Sequence, residues 1–298
     1  MTTQTKIRTL LDRLAQGELL IGDGATGTYL QAHGLEPGGC PEALNAFKPD
    51  LVRQLSREYF AAGSDFVFTN SFGGNRFMLK KYGHGDKVWE FNRLAAQHAR
   101  SQTPQGRYVV GSVGPTGEFL EPLGNVSRAA MVGAFAEQIA ALKEGGADGV
   151  VIETMTAIEE ATAAIEAARQ VGVPVVMSTL TFDKGPRGFF TMMGVTPERA
   201  AKELKAAGAD VVGSNCGNGI EAMIEIAKQI RAATDGYVMI NSNAGIPSIQ
   251  KGRIVYPETP EFMAERFKAL ADMGVNVLGG CCGTTSAHIA ALCKAVGR

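Results

Sequence analysis

The chain has 298 residues, and its 29 lysines and arginines against 30 acidic residues leave a net charge of -1. That balance supplies no long-range field for nucleic acid or an anionic membrane, which points to small molecules or another protein as partners. No stretch reaches the roughly 18 apolar residues of a membrane span and the N-terminus carries no signal-peptide pattern, so a soluble, cytoplasmic protein is expected.

Short apolar runs rich in β-branched residues, each followed by a stretch of helical period, mark βα units that feed a parallel sheet. In chain order the strands are expected at 19–22, 65–69, 108–112, 149–152, 174–179, 210–214, 237–241 and 275–278. The helices are expected at 50–62, 87–100, 128–144, 157–170, 197–207, 220–232, 260–272 and 285–296. Four helices end on similar glycine steps, AAGSD at Ala61, EGGAD at Glu144, AAGAD at Ala206 and DMGVN at Asp272, a weak repeat that marks equivalent helix-to-strand corners. Pro197 and Pro260 suit first helical turns. No segment reads as a linker. One domain over 1–298 is therefore expected, an α/β fold of the (β/α)8 TIM-barrel type, because eight units without reversal fit a closed barrel better than an open sheet.

Active sites of such barrels lie at the C-terminal ends of the strands. The residues there form a polar ring: Asp23 to Thr28, Thr69 to Gly73, Gly114 to Glu118, Glu153-Thr154, Thr181 to Asp183, Asn215-Cys216-Gly217, Asn243 to Gly245, and Gly279 to Gly283. Among the five cysteines, an odd number that argues for reduced thiols, Cys216 ends strand six while Cys281 and Cys282 end strand eight. Strands six and eight lie one apart in a barrel, so the three sulfurs can converge. Free cysteines are mostly small buried residues, but the Gly-Gly-Cys-Cys-Gly setting favours a metal site. Three soft thiolates suit zinc and leave a fourth tetrahedral position open, the mark of a catalytic centre. A substrate thiol of pKa roughly 8.5 needs such an ion to become a nucleophile at neutral pH.

The other ring members each admit a plainer role. Glu153 can receive a substrate ammonium or pair with a neighbour, and Asp23 can do the same or fix its own turn. Asn70, Asn215 and Asn243 can orient a substrate or satisfy loop backbone. Met192 and Met193 either pack the barrel top or make the mouth more apolar. His288 is read as a surface or capping residue, and Cys40 and Cys293 as bystanders.

DGATGT at Asp23, TNSFGGNR from Thr69, GPTGE from Gly114, ET at Glu153, NC at Asn215, NAG at Asn243 and GGCCGTT from Gly279 together resemble the homocysteine S-methyltransferase family, in order across nearly the whole chain. The resemblance implies a (β/α)8 barrel with zinc on Cys216, Cys281 and Cys282, and homocysteine sulfur in the fourth place. It also implies that Asp23, Thr26, Glu153 and Asn243 hold the amino-acid portion of homocysteine. Within the family the motifs look most like the homocysteine module of cobalamin-dependent methionine synthase. That likeness implies a methyl donor in the form of methylcobalamin carried by a separate corrinoid protein. S-methylmethionine or betaine as donor, or another small thiol as acceptor, are the alternatives within the same chemistry. A non-enzymatic docking subunit for a corrinoid protein would need a closed zinc site, and the sequence places only three protein ligands.

Overall fold

The computed structural model describes residues 8–250 and 253–298. Its sheet has eight parallel strands: β1 (Leu20–Ile21), β2 (Phe66–Phe68), β3 (Tyr108–Val113), β4 (Gly149–Met155), β5 (Val176–Leu180), β6 (Val211–Asn215), β7 (Tyr237–Ser242) and β8 (Val277–Gly280). Hydrogen-bonded ladders join them in the order β1-β8-β7-β6-β5-β4-β3-β2. Eight helices alternate with them: α1 (Pro49–Ala61), α2 (Val88–Ser101), α3 (Arg128–Glu144), α4 (Ile158–Val171), α5 (Pro197–Ala206), α6 (Ile220–Ala233), α7 (Pro260–Asp272) and α8 (Ser286–Ala295). The result is the expected (β/α)8 barrel, with every strand and helix within a few residues of its place in the sequence.

The four glycine corners follow α1, α3, α5 and α7. Gly63, Gly146, Gly208 and Gly274 all have positive φ. At each, the next N–H reaches back to the helix, as Ser64 does to Tyr59 O and Ala147 to Leu142 O, closing a Schellman cap. Helix starts are held by side-chain caps from Ser127, Thr196 and Thr259, the last two followed by proline.

Alternation along the strands divides the core in two. Leu20, Phe66, Tyr108, Val151, Met177, Val211, Met239 and Val277 fill the barrel interior, joined by Leu10 and Leu14 of an N-terminal helix. The other face of each strand packs on the helices. Beyond the eight-fold pattern the chain adds short helices such as Gly27–Ala32 and Leu44–Phe47, and two hairpins, Asp183–Gly185 with Gly188–Phe190 and Ser248–Gln250 with Arg253–Val255. Periodicity does not reveal them because three-residue, largely exposed strands carry too few apolar positions to show a period.

Between β1 and β2 the seam is closed by aspartates instead of a ladder. The Asp65 N–H donates to Ile21 O at 2.6 Å and the Ile21 N–H to Asp65 Oδ2 at 2.8 Å. Higher up, the Phe68 N–H donates to Asp23 Oδ2 at 2.7 Å. Asp65 is fully buried and pairs with Arg13 at 2.9 Å, and also with Arg107 and Arg298. Burial alone would raise its carboxyl, but hydrogen bonds from Arg298 and the Ile21 N–H, with the guanidinium charges, outweigh it and hold the group below its usual range.

Replacing Asp65 by Asn is expected to cost about 3–5 kcal/mol in urea unfolding at pH 7, since it strands three guanidinium groups around a neutral amide. A depressed carboxyl stabilises the fold above its unfolded value and loses that contribution as pH falls through the folded one. The acid limb of the wild-type stability profile should therefore flatten in Asp65→Asn; an unchanged limb would place the acid sensitivity elsewhere.

Candidate active site

The ends of β1, β2, β3, β4, β6 and β8, with the turns that follow them, converge on a cavity of about 360 Å³. Its wall includes Thr26, Glu42, Ser112, Glu153 and the three cysteines Cys216, Cys281 and Cys282. The ligand atoms of the three cysteines lie within 4.8 Å of one another, and Cys216 Sγ is 3.9 Å from Cys282 Sγ. This is the cluster among the described residues that could hold a metal ion.

Strand parity puts Cys281 on the inner face, four residues beyond Val277, whereas Cys216 follows the inward Asn215 and by parity would face the helices. A left-handed backbone at Cys216, φ 60°, turns its side chain over the mouth instead. Thr154, φ 61°, shares this conformation, and these are the two non-glycine residues of positive φ among those described. Both sit at the site, where such strain concentrates.

The sulfurs share their charge unevenly. Hydrogen bonds from the Cys281 and Cys282 thiols hold Cys216 well below the usual thiol range. The same contacts with Cys216 hold Cys281 well above it and push Cys282 up. Mutual contacts among the sulfurs thus favour a thiolate within the cluster. Asn243 lies near enough to Cys216 to lower it further, while its Oδ1 is buried without a partner. Tyr256, after the second hairpin, lies beside Cys282 and opposes its rise.

Two carboxyl groups lie beneath. Glu153 is buried, accepts from Ser112 Oγ at 2.6 Å and from Asn215 Nδ2 at 3.1 Å, and burial pushes its carboxyl up to about 7, with the Ser112 hydrogen bond opposing and the Cys216 charge adding. Asp23 is held well above the usual range by burial, opposed by the Phe68 N–H and reinforced by Glu153. One of its oxygens closes the barrel seam; the other, Oδ1, is buried and has no partner. No cation faces either group among the described contacts.

Of the residues expected from the sequence, Cys216, Cys281, Cys282, Thr26 and Glu153 line the cavity, while Asp23 and Asn243 lie just behind its wall. Met192 and Met193 are exposed and do not line it. His288 is buried instead of on the surface and does cap α8: its Nδ1 accepts from the Thr285 N–H at 3.1 Å. Sequence reasoning missed Ser112, Glu42 and Tyr256. Ser112 is the inward residue two past Val110, so parity alone could have found it; Glu42 and Tyr256 come from loops that carry no period.

The sequence pattern of the homocysteine S-methyltransferase family matches residues 20–296. Methionine synthase of Mycobacterium tuberculosis is 33% identical over 308 residues, and that of Mycobacterium leprae 34% over 310 residues. Each alignment takes in nearly all of this chain, 96% and 97%, but the chain spans about a quarter of either relative, 25%. The metallated form of the homocysteine methyltransferase MmuM from Escherichia coli superposes with a TM-score of 0.77 at 22% identity, covering 94% of this chain and 96% of that one, a likeness of fold. The chain belongs to the homocysteine S-methyltransferase family.

Proposed function

We propose that the chain methylates the thiol of homocysteine to form methionine, with zinc held by Cys216, Cys281 and Cys282 and the methyl group presented by a methylated corrinoid on a separate protein. The observation that carries this reading is the meeting, around one cavity, of a three-sulfur cluster and two buried carboxyl groups without a counter-charge. A thiol amino acid has the complementary pair of ends.

The donor set fits zinc. Three soft sulfurs at the mouth, whose mutual contacts favour a thiolate, match an ion that prefers tetrahedral thiolate sites and keeps a position open for catalysis. When bound there, zinc supplies the Lewis acidity that favours the thiolate form of a substrate thiol at neutral pH.

The remaining work falls to the protein. Glu153 and the free Oδ1 of Asp23 receive the ammonium, whose charge offsets the burial that now holds both carboxyls up. Thr26, on the wall beside the first loop, faces the carboxylate end, and Asn243 orients the cluster through Cys216. Fixing both ends of the acceptor aligns its sulfur for in-line attack on a methyl carbon, and no general base is needed. A cavity of about 360 Å³ suits an amino acid, which leaves a macromolecular methyl carrier to present its group from outside the mouth.

Three outcomes test this. Purified protein is expected to transfer methyl groups to homocysteine from methylcobalamin in preference to S-methylmethionine or betaine; absence of transfer from every donor would refute the reading. Cys216→Ala and Cys281→Ala should each lose bound zinc by elemental analysis together with activity, and full retention of metal would remove that cysteine from the ligand set. Because Glu153 is protonated below about 7 and must be ionised to receive an ammonium, kcat/KM for homocysteine should rise with pH through that region and level above it. Glu153→Gln should abolish this rise and raise KM about 10–100-fold, the loss of a charged hydrogen bond.

A further inference from the structure

One side chain behind the cavity wall ties the two halves of the site together. Asn215, the last residue of β6, does not line the cavity. Its Oδ1 accepts from Thr179 Oγ1 at 2.7 Å and from the Thr154 N–H at 2.8 Å. Its Nδ2 donates to Thr154 Oγ1 at 2.8 Å and Glu153 Oε2 at 3.1 Å, and lies 3.9 Å from Cys281 Sγ. Both lone pairs and both N–H bonds are therefore engaged, so the amide cannot turn without breaking several contacts at once.

We infer that Asn215 is a positioning residue that sets the gap between the sulfur cluster and the Glu153 carboxylate, and thereby selects the length of the thiol amino acid that can reach both. The inference rests on the proposed reading of the site as one for an amino-acid thiol.

Three features support a fixed gap. Glu153 is gripped from both sides, by Ser112 on one oxygen and Asn215 on the other. Thr154 donates and accepts at the same amide, and its left-handed φ of 61° persists only where neighbours over-determine it. Cys216, with φ 60°, follows Asn215 directly in the chain, so the amide that aims Glu153 also anchors the backbone of a metal-site cysteine. An acceptor whose sulfur joins the cluster while its ammonium meets Glu153 must span this gap. Homocysteine has one methylene more than cysteine between those ends, and a rigid frame cannot satisfy both lengths.

An asparagine that only satisfies backbone groups would leave selectivity alone, which makes the two roles separable. On zinc-loaded wild-type protein, calorimetric binding of cysteine, homocysteine and the next longer homologue should show a sharp optimum at one length, with a thiol lacking an ammonium bound weakly. Asn215→Asp keeps the shape and the acceptor oxygen but removes the donors to Glu153, and Asn215→Ser removes the whole link. Both are expected to retain zinc stoichiometry in a chelator competition. KM for homocysteine should rise at least tenfold with a smaller change in kcat, and the preference for homocysteine over cysteine should fall at least tenfold. A flat length profile in the wild type, or variants that lose affinity for both thiols equally, would overturn the inference while leaving the methyltransferase reading intact. Failure of the wild type to bind any amino-acid thiol would instead bring down that reading and this inference with it.

Discussion

Both parts of the sulfur cluster hang from one strand. The Cys216 N–H donates to Asn241 O and the Cys281 N–H to the adjacent Ser242 O, so consecutive carbonyls of β7 set the height of the two cysteines along the barrel axis. The Ala244 N–H, continuing from β7, takes Cys282 O. A register slip of one residue on either side would turn a thiol to the other face of the sheet. The closeness of β6 and β7 depends in turn on Gly213, where a Cβ would sit 1.8 Å from Met239 O. The chemistry at the mouth is thus a consequence of backbone pairing a layer below it.

The same residue type meets opposite fates at the two ends of this frame. Asp65, near the N-terminal ends of the strands, is surrounded by guanidinium groups and held ionised. Asp23 and Glu153, at the C-terminal ends, are buried without a cation and held toward the neutral form. One end consumes its electrostatics internally, in support of the fold. The other keeps an unmet demand for positive charge, and perturbed groups of this kind mark the places where a barrel binds and reacts.

Much of this was legible in the sequence, for identifiable reasons. Strand and helix positions followed from apolar period, and the glycine corners from their repeated steps, because both signals are local. The cysteines could be placed at strand ends, which sufficed to bring them to one mouth. What stayed hidden was orientation. Nothing in the residue types Thr154 or Cys216 announces a left-handed backbone, since the partners that hold it come from other strands, Asn215 for Thr154 and Asn241 O for the Cys216 N–H. The loop contributions of Glu42 and Tyr256 were equally invisible, and the pairing of Asn215 with Glu153 spans two strands that are not neighbours in the sheet.

Asp23 carries two duties on its two oxygens, one fastening β1 to β2 through Phe68 and one left open at the site. Altering this residue would loosen the barrel in the same step as it changed the charge beside the site. Thr26, on the cavity wall three residues later with no hydrogen bond from its side chain to the helix it starts, carries no such burden. Change at this mouth therefore has an easy route through the first loop and a costly one through the seam, and the seam acts as a brake on change at Asp23.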